Sequence, residues 1–110
     1  MNNRKQTRLQ KAGWRIGSAQ DFLGLTNEET ALVEMRLFLA RSLKARRSAL
    51  GLTQQELAKR LGSSQSRLAK MESADASVSI DLFIRTLLKL GATRREVGRI
   101  IGRKAATPAA

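Results

Sequence analysis

Four polar side chains crowd into one short run, Gln65, Ser66, Arg67 and Lys70, just after the pair Ser63-Ser64. Gln can form two hydrogen bonds to N6 and N7 of adenine, and Arg can fork onto O6 and N7 of guanine, so Gln65 and Arg67 have the chemistry of base readers. Ser66 is shorter and secondary. Ser64 suits a helix N-cap whose hydroxyl is taken up by the backbone, with an added phosphate contact open to it. Lys70, and Arg41, Lys44 and Arg46 upstream, fit phosphate contacts and plain solvated charges equally well. The bland reading of Gln65 is an exposed polar residue with no role. Catalysis finds little support. The chain has no Cys and no His, so the serines lack the usual activating base, and thiolate chemistry and the commonest zinc ligands are missing. Asp75 and Asp81 are isolated rather than paired for acid–base work, and no Gly-rich phosphate loop occurs. The expectation is a protein that is not an enzyme and needs no cofactor or metal.

Charge points the same way. The 110 residues carry 21 Lys plus Arg against 9 Asp plus Glu, a formal charge of +12. Uncompensated charge of this size destabilises a compact chain through self-repulsion, which implies an anionic partner, nucleic acid first. The excess sits at the ends, while residues 73–92 balance two basic against two acidic side chains. That neutral stretch is expected to face the core or another protein. The length suits a single core. No apolar run approaches the roughly 20 residues that cross a bilayer, and Met1 to Lys11 lack the apolar stretch of a secretory signal, so a cytoplasmic, nucleoid-associated protein with no membrane partner is expected. A membrane-surface or general RNA-binding protein is favoured only by charge and by an amphipathic first helix. With three Phe, one Trp and no Tyr, the chain is poor in the aromatic anchors and stacking platforms those roles use.

The elements that must position these residues can be read from caps and periodicity. Residues 1–13 read as a basic disordered arm and 104–110 as a frayed tail, leaving 14–103 as one domain. Trp14 and Phe22 suit an N-terminal cover for the core, ahead of a short helical turn from Ser18 to Leu25. Thr26 with Glu29 forms a capping box that opens a long helix from Asn27 to about Leu50, with Ala31, Met35 and Phe38 on one stripe and Leu32, Leu39, Leu43 and Leu50 on the next. Thr53 with Glu56 opens a second helix, with Leu57, Ala58 and Leu61 inward and Gly62 at its end. Ser64 caps a third from Gln65 to Glu72, with Leu68 and Met71 inward. Ser79 caps a fourth, rich in Ile80, Phe83, Ile84, Leu87, Leu88 and Leu90, ended by Gly91. Thr93 with Glu96 forms a third capping box ahead of Val97, Ile100 and Ile101. No run alternates with period two, so the fold is all-α.

The pair of short helices between Thr53 and Glu72 carries the most information. Two short helices that cross sharply need a small residue where they touch, a turn residue such as Gly, and a branched apolar residue to seal the contact. Ala58, Gly62 and Leu68 supply these, at the spacing of a DNA-binding helix-turn-helix. The Ala-x-x-x-Gly spacing alone would fit an ordinary helical hairpin. The fuller pattern, with the net charge, favours the helix-turn-helix about positions 53–72.

The run Leu50-Gly-Leu-Thr-Gln-Gln-Glu-Leu-Ala-Lys-Arg-Leu-Gly-Ser-Ser-Gln-Ser-Arg-Leu-Ala-Lys-Met-Glu72 resembles the XRE family of phage-repressor and Cro-like helix-turn-helix proteins over roughly Leu39 to Gly91. The resemblance implies a five-helix, lambda-repressor-like DNA-binding domain with its third helix in the major groove of double-stranded DNA, usually as a homodimer. It further implies that Gln54 holds the phosphate backbone, and that Gln65, Ser66, Arg67 and Lys70 meet base edges or nearby phosphates. By the same likeness Arg47 and Glu72 form an internal ion pair. Independently, Arg47 falls on the apolar stripe, where an unpaired charge would be costly. The segment Trp14 to Thr26 is similar to what precedes the motif in HigA-type antitoxins of HigB/RelE-like toxins, which makes a toxin protein a further partner that the likeness implies. After Glu72, Ser73-Ala74 stand where the family commonly has Gly, a departure that bears on the path of the next loop. A transcriptional regulator of repressor type is the leading functional expectation, with an autoregulating antitoxin as the alternative.

Overall fold

The computed structural model describes residues 23–103. Among them there are five helices and no strand: α1 Asn27–Ala49, α2 Gln54–Leu61, α3 Gln65–Glu72, α4 Ile80–Lys89 and α5 Arg94–Gly102. The fold is the all-α, five-helix arrangement of a helix-turn-helix domain. The chain divides into two units, Met35–Arg103 forming one and the described residues up to Glu34 belonging to the other. The basic arm, the Trp14–Phe22 cover and the tail expected from the sequence lie outside the described residues.

Each helix begins where a side chain can satisfy its unpaired N–H groups. At α1, the Glu29 N–H donates to Thr26 Oγ1 (3.1 Å) and the Thr26 N–H to Glu29 Oε1 (3.0 Å). Thr53 and Glu56 exchange the same two bonds at α2, at 3.1 and 2.9 Å. Ser64 and Ser79 cap α3 and α4 by accepting from the N–H groups of Arg67 and Leu82. The third capping box forms only by half. Thr93 accepts from the Glu96 N–H (3.1 Å), but the Glu96 carboxylate pairs with Arg46 instead of closing back on the Thr93 backbone.

The core of the second unit gathers one stripe from every helix. Leu39 and Leu43 of α1, Leu57 of α2, Leu68 of α3, and Phe83 and Leu87 of α4 are almost fully buried, joined by Ala58, Met71 and Val97. Burying a side chain of this size contributes roughly 1.5–3 kcal/mol, so these contacts decide how the helices pack. The stripe expected on α1 is shorter than its periodicity suggests. Leu32 and Leu50 are 47% and 48% exposed, and Ala31 is exposed too. Toward the C-terminal end of α1 the inward positions go to Arg46 and Arg47, each of which finds a carboxylate. Leu88 of α4 is also exposed rather than in the core.

Four of the five helices end alike. The N–H groups of Leu52, Ser63, Asp75 and Ala92 reach back to the carbonyls of Arg47, Ala58, Lys70 and Leu87, the six-to-one bond of a Schellman motif. The residue before each donor must enter the left-handed region. Gly62 does so at φ +67, and a methyl group there would meet nothing within 4 Å, so conformation rather than space demands glycine. The same place after α3 is filled by Ala74 at φ 58. Ala74 therefore closes the same turn that glycine closes after α1, α2 and α4, and carries backbone strain in doing so.

For an L-residue the left-handed conformation costs roughly 1–2 kcal/mol, against roughly 0.5–1 kcal/mol of extra chain entropy that glycine loses on folding. Ala74 is only half-buried, so little packing is lost with its methyl. Ala74→Gly is expected to raise stability by up to about 1 kcal/mol, seen as a higher urea midpoint at unchanged slope. A lower midpoint would show that the methyl contact outweighs the strain.

Candidate nucleic-acid interface

The connection from α2 to α3 is three residues, Gly62–Ser64, and both helices bury one face: Leu57 and Ala58 on α2, Leu68 and Met71 on α3. The opposite side of α3 is then fixed by its period. Gln65, Ser66, Arg67 and Lys70 are all exposed, as is Ser64 at the cap. Because Ser64 Oγ accepts from the Arg67 N–H (3.1 Å), its own O–H remains free to donate outward.

Ser64, Ser66, Arg67 and Lys70 share one wall of a groove of about 530 Å³, whose other wall includes Ser77, Ser79, Asp81 and Arg85. Gln65 stands on the same helix without lining it. Arg85 escaped the sequence reading, although its i,i+4 spacing from Asp81 was visible. The two form an ion pair, exposed enough to contribute little to stability. The Asp75 carboxylate is held below its ordinary range because Ser77 donates to it, from its side-chain hydroxyl first and also from its backbone N–H, the latter at 2.8 Å. That bond fixes the loop leading into the groove wall.

Gln54 lies elsewhere. Its Nε2 donates to Glu72 Oε1 at 3.2 Å, which orients the amide and leaves one of its two hydrogens uncommitted. The same carboxylate receives Arg47 in a fork, Nε to Oε2 at 2.6 Å and Nη2 to Oε1 at 2.9 Å, while Arg47 Nη1 donates to the Leu52 carbonyl at 2.8 Å. The ion pair that the resemblance implied is therefore present. The hydrogen bond to Glu72 raises the Arg47 pKa further above its already high value, so the guanidinium stays charged at any working pH. Arg46 departs from the expectation of a phosphate contact or a solvated charge, since it is engaged by Glu96 and by the Leu90 carbonyl. Arg41 is exposed with its guanidinium 5.9 Å from the centre of the Phe38 ring, and Lys44 is exposed without an ion pair among the described residues.

Two short helices joined by a capped three-residue turn are the local form of a helix-turn-helix, and comparison with known families identifies one. The helix-turn-helix family model matches residues 43–97, half of the chain. The chain belongs to the helix-turn-helix family, of XRE type, a class of DNA-binding transcription regulators. No curated protein and no solved structure matches it. Among the described residues no helix is long and apolar enough to cross a membrane, and no group of three or more His, Cys, Asp or Glu could hold a metal ion.

Two outcomes follow. The Arg47 and Glu72 side chains are only 14% and 4% exposed, so removing one partner strands the other. Arg47→Met or Glu72→Met alone should cost about 3–5 kcal/mol in urea unfolding, and the two together should recover a large part. Additive losses would contradict the coupling. The caps predict an acid limb as well. The backbone and side-chain hydrogen bonds of Thr53 hold the Glu56 pKa below its ordinary 4.5, and Thr26 does the same for Glu29. A lowered folded-state pKa means stability that is complete above 4.5 and is lost as pH falls through the lowered value. Thr53→Ala should flatten that decline in a pH series of thermal melts, and an unchanged slope would remove the cap from the account.

Proposed function

We propose that this protein is a sequence-specific regulator, acting as a repressor, that reads the major groove of double-stranded DNA with α3. The observation that carries the proposal is the exposed edge of Gln65, Ser66, Arg67 and Lys70 on a helix whose other face is locked into the core. Gln65 and Arg67 are assigned to base edges, Ser66 to a secondary contact, and Lys70, Ser64 and the free amide hydrogen of Gln54 to phosphates. Glu72 and Arg47 hold the helices at the right mutual placement without touching the duplex. A homodimer would set two copies of α3 about 34 Å apart on one face of the duplex, matching a two-fold site. The domain doing this is residues 14–103, with the basic flanks adding sequence-independent attraction.

A second reading is supported by the likeness of the Trp14–Thr26 segment to HigA-type antitoxins. On that reading the same duplex binding represses the protein's own operon while a toxin is neutralised. Co-purification with the product of a neighbouring gene separates the two.

Binding should weaken with salt, log K falling by roughly 0.9 per phosphate neutralised for each log unit of salt. Gln65→Ala and Arg67→Ala should each cost about 1–3 kcal/mol on the preferred duplex and little on random duplex, measured by fluorescence anisotropy. Equal losses on both would make these residues phosphate contacts and defeat the assignment.

A further inference from the structure

A second groove, of about 550 Å³, runs between α1 and α5 and shares no lining residue with the groove beside α3. Its floor is apolar: Ala45, Ala49, Ile100 and the half-exposed Leu50, the side chain that the periodicity of α1 had assigned to the core. Its rim is basic. Arg99 and Arg103 are exposed, and neither has a carboxylate partner among the described residues. Arg103 rests instead 5.7 Å from the centre of the Phe38 ring. Among the described residues the one carboxylate lining the groove, Glu96, is already taken by Arg46. Arg95 and Arg99 stand at i,i+4 on α5, a like-charge pair that destabilises an isolated helix, and Arg103 follows at its C-cap.

The geometry points to this groove as the docking site for an acidic, amphipathic segment of a partner protein. Apolar side chains of that segment cover Leu50 and Ile100, and its carboxylates fork onto Arg99 and Arg103. Charge complementarity selects this occupant. A second copy packed groove against groove would set the same arginines against each other, and the chain's own flanks are basic, with five Lys or Arg and no acid in residues 1–15 and one Lys and no acid in residues 104–110. A phosphate backbone would satisfy the arginines but leave the apolar floor wet, whereas a helix with leucines on one face and glutamates on the other answers both features.

The test uses the full chain and a fluorescently labelled synthetic peptide of about four helical turns, with leucines on one face and glutamates on the other. Anisotropy should show saturable binding that weakens at least tenfold with Leu50→Gln, with Arg99→Glu, and with a peptide whose leucines are replaced by serines. Arg67→Ala should leave peptide binding unchanged, which keeps this site separate from the reading edge. Thermal melts check that each variant is folded. Three results would overturn the inference. The serine peptide could bind as well as the leucine peptide, reducing the contact to bulk charge. Arg99→Glu could lower the salt dependence of duplex binding, making Arg99 a phosphate contact. Leu50→Gln could dissociate a dimer in sedimentation, making the occupant a second copy.

Discussion

One carboxylate, that of Glu72, joins the ends of three helices. It receives the fork of Arg47 from the C-terminal part of α1 and the Gln54 amide from the start of α2, and it terminates α3 itself. With a side chain 4% exposed, it would be untenable without those donors, since a buried charge left unpaired costs several kcal/mol. The three partners therefore come as a set. Arg47 also closes the turn after α1 by donating to the Leu52 carbonyl, so the interaction that holds α3 in place also fixes where α2 begins. A helix of only eight residues such as α3 cannot hold its own conformation in water, and this network together with the Leu68 and Met71 contacts supplies what its length does not.

The acidic residues show how a strongly basic chain remains compact. Glu29 and Glu56 close capping boxes, Asp75 orders a loop, and Glu72, Glu96 and Asp81 each neutralise an arginine. Scarce negative charge is placed where it organises the backbone or covers a guanidinium that packing requires. Among the described residues Arg67, Lys70, Arg99 and Lys44 are exposed without ion pairs, and repulsion among such charges is relieved when an anion arrives. Folding and attraction to nucleic acid thus draw on the same imbalance.

The helices were legible from the sequence because their limits are written in local chemistry. Ser64 and Ser79 cap where their types predict, and Thr26 and Thr53 close their boxes in full. What the sequence did not reveal depends on contacts between distant segments. Glu96 has the spacing of a capping residue, yet a neighbouring helix offers it a guanidinium, which attracts a carboxylate more strongly than a backbone N–H does. Leu50 continues the α1 stripe on paper, but the positions before it belong to arginines that turn inward to their partners. The helix-turn-helix was readable from Ala58, Gly62 and Leu68. The tie from Gln54 to Glu72 was not, because nothing in their separation of eighteen positions announces a contact across the motif. Arg85 became visible as a groove residue only once α4 was seen beside α3.

The central claim is that the exposed edge of α3 senses nucleotide identity and does not merely adhere to charge. Its most direct test is selection of duplexes from a fully random pool by the intact chain at physiological ionic strength, followed by sequencing. The account predicts enrichment of a short motif repeated in two-fold relation about one helical turn apart. A recovered pool no more alike than the input would contradict it.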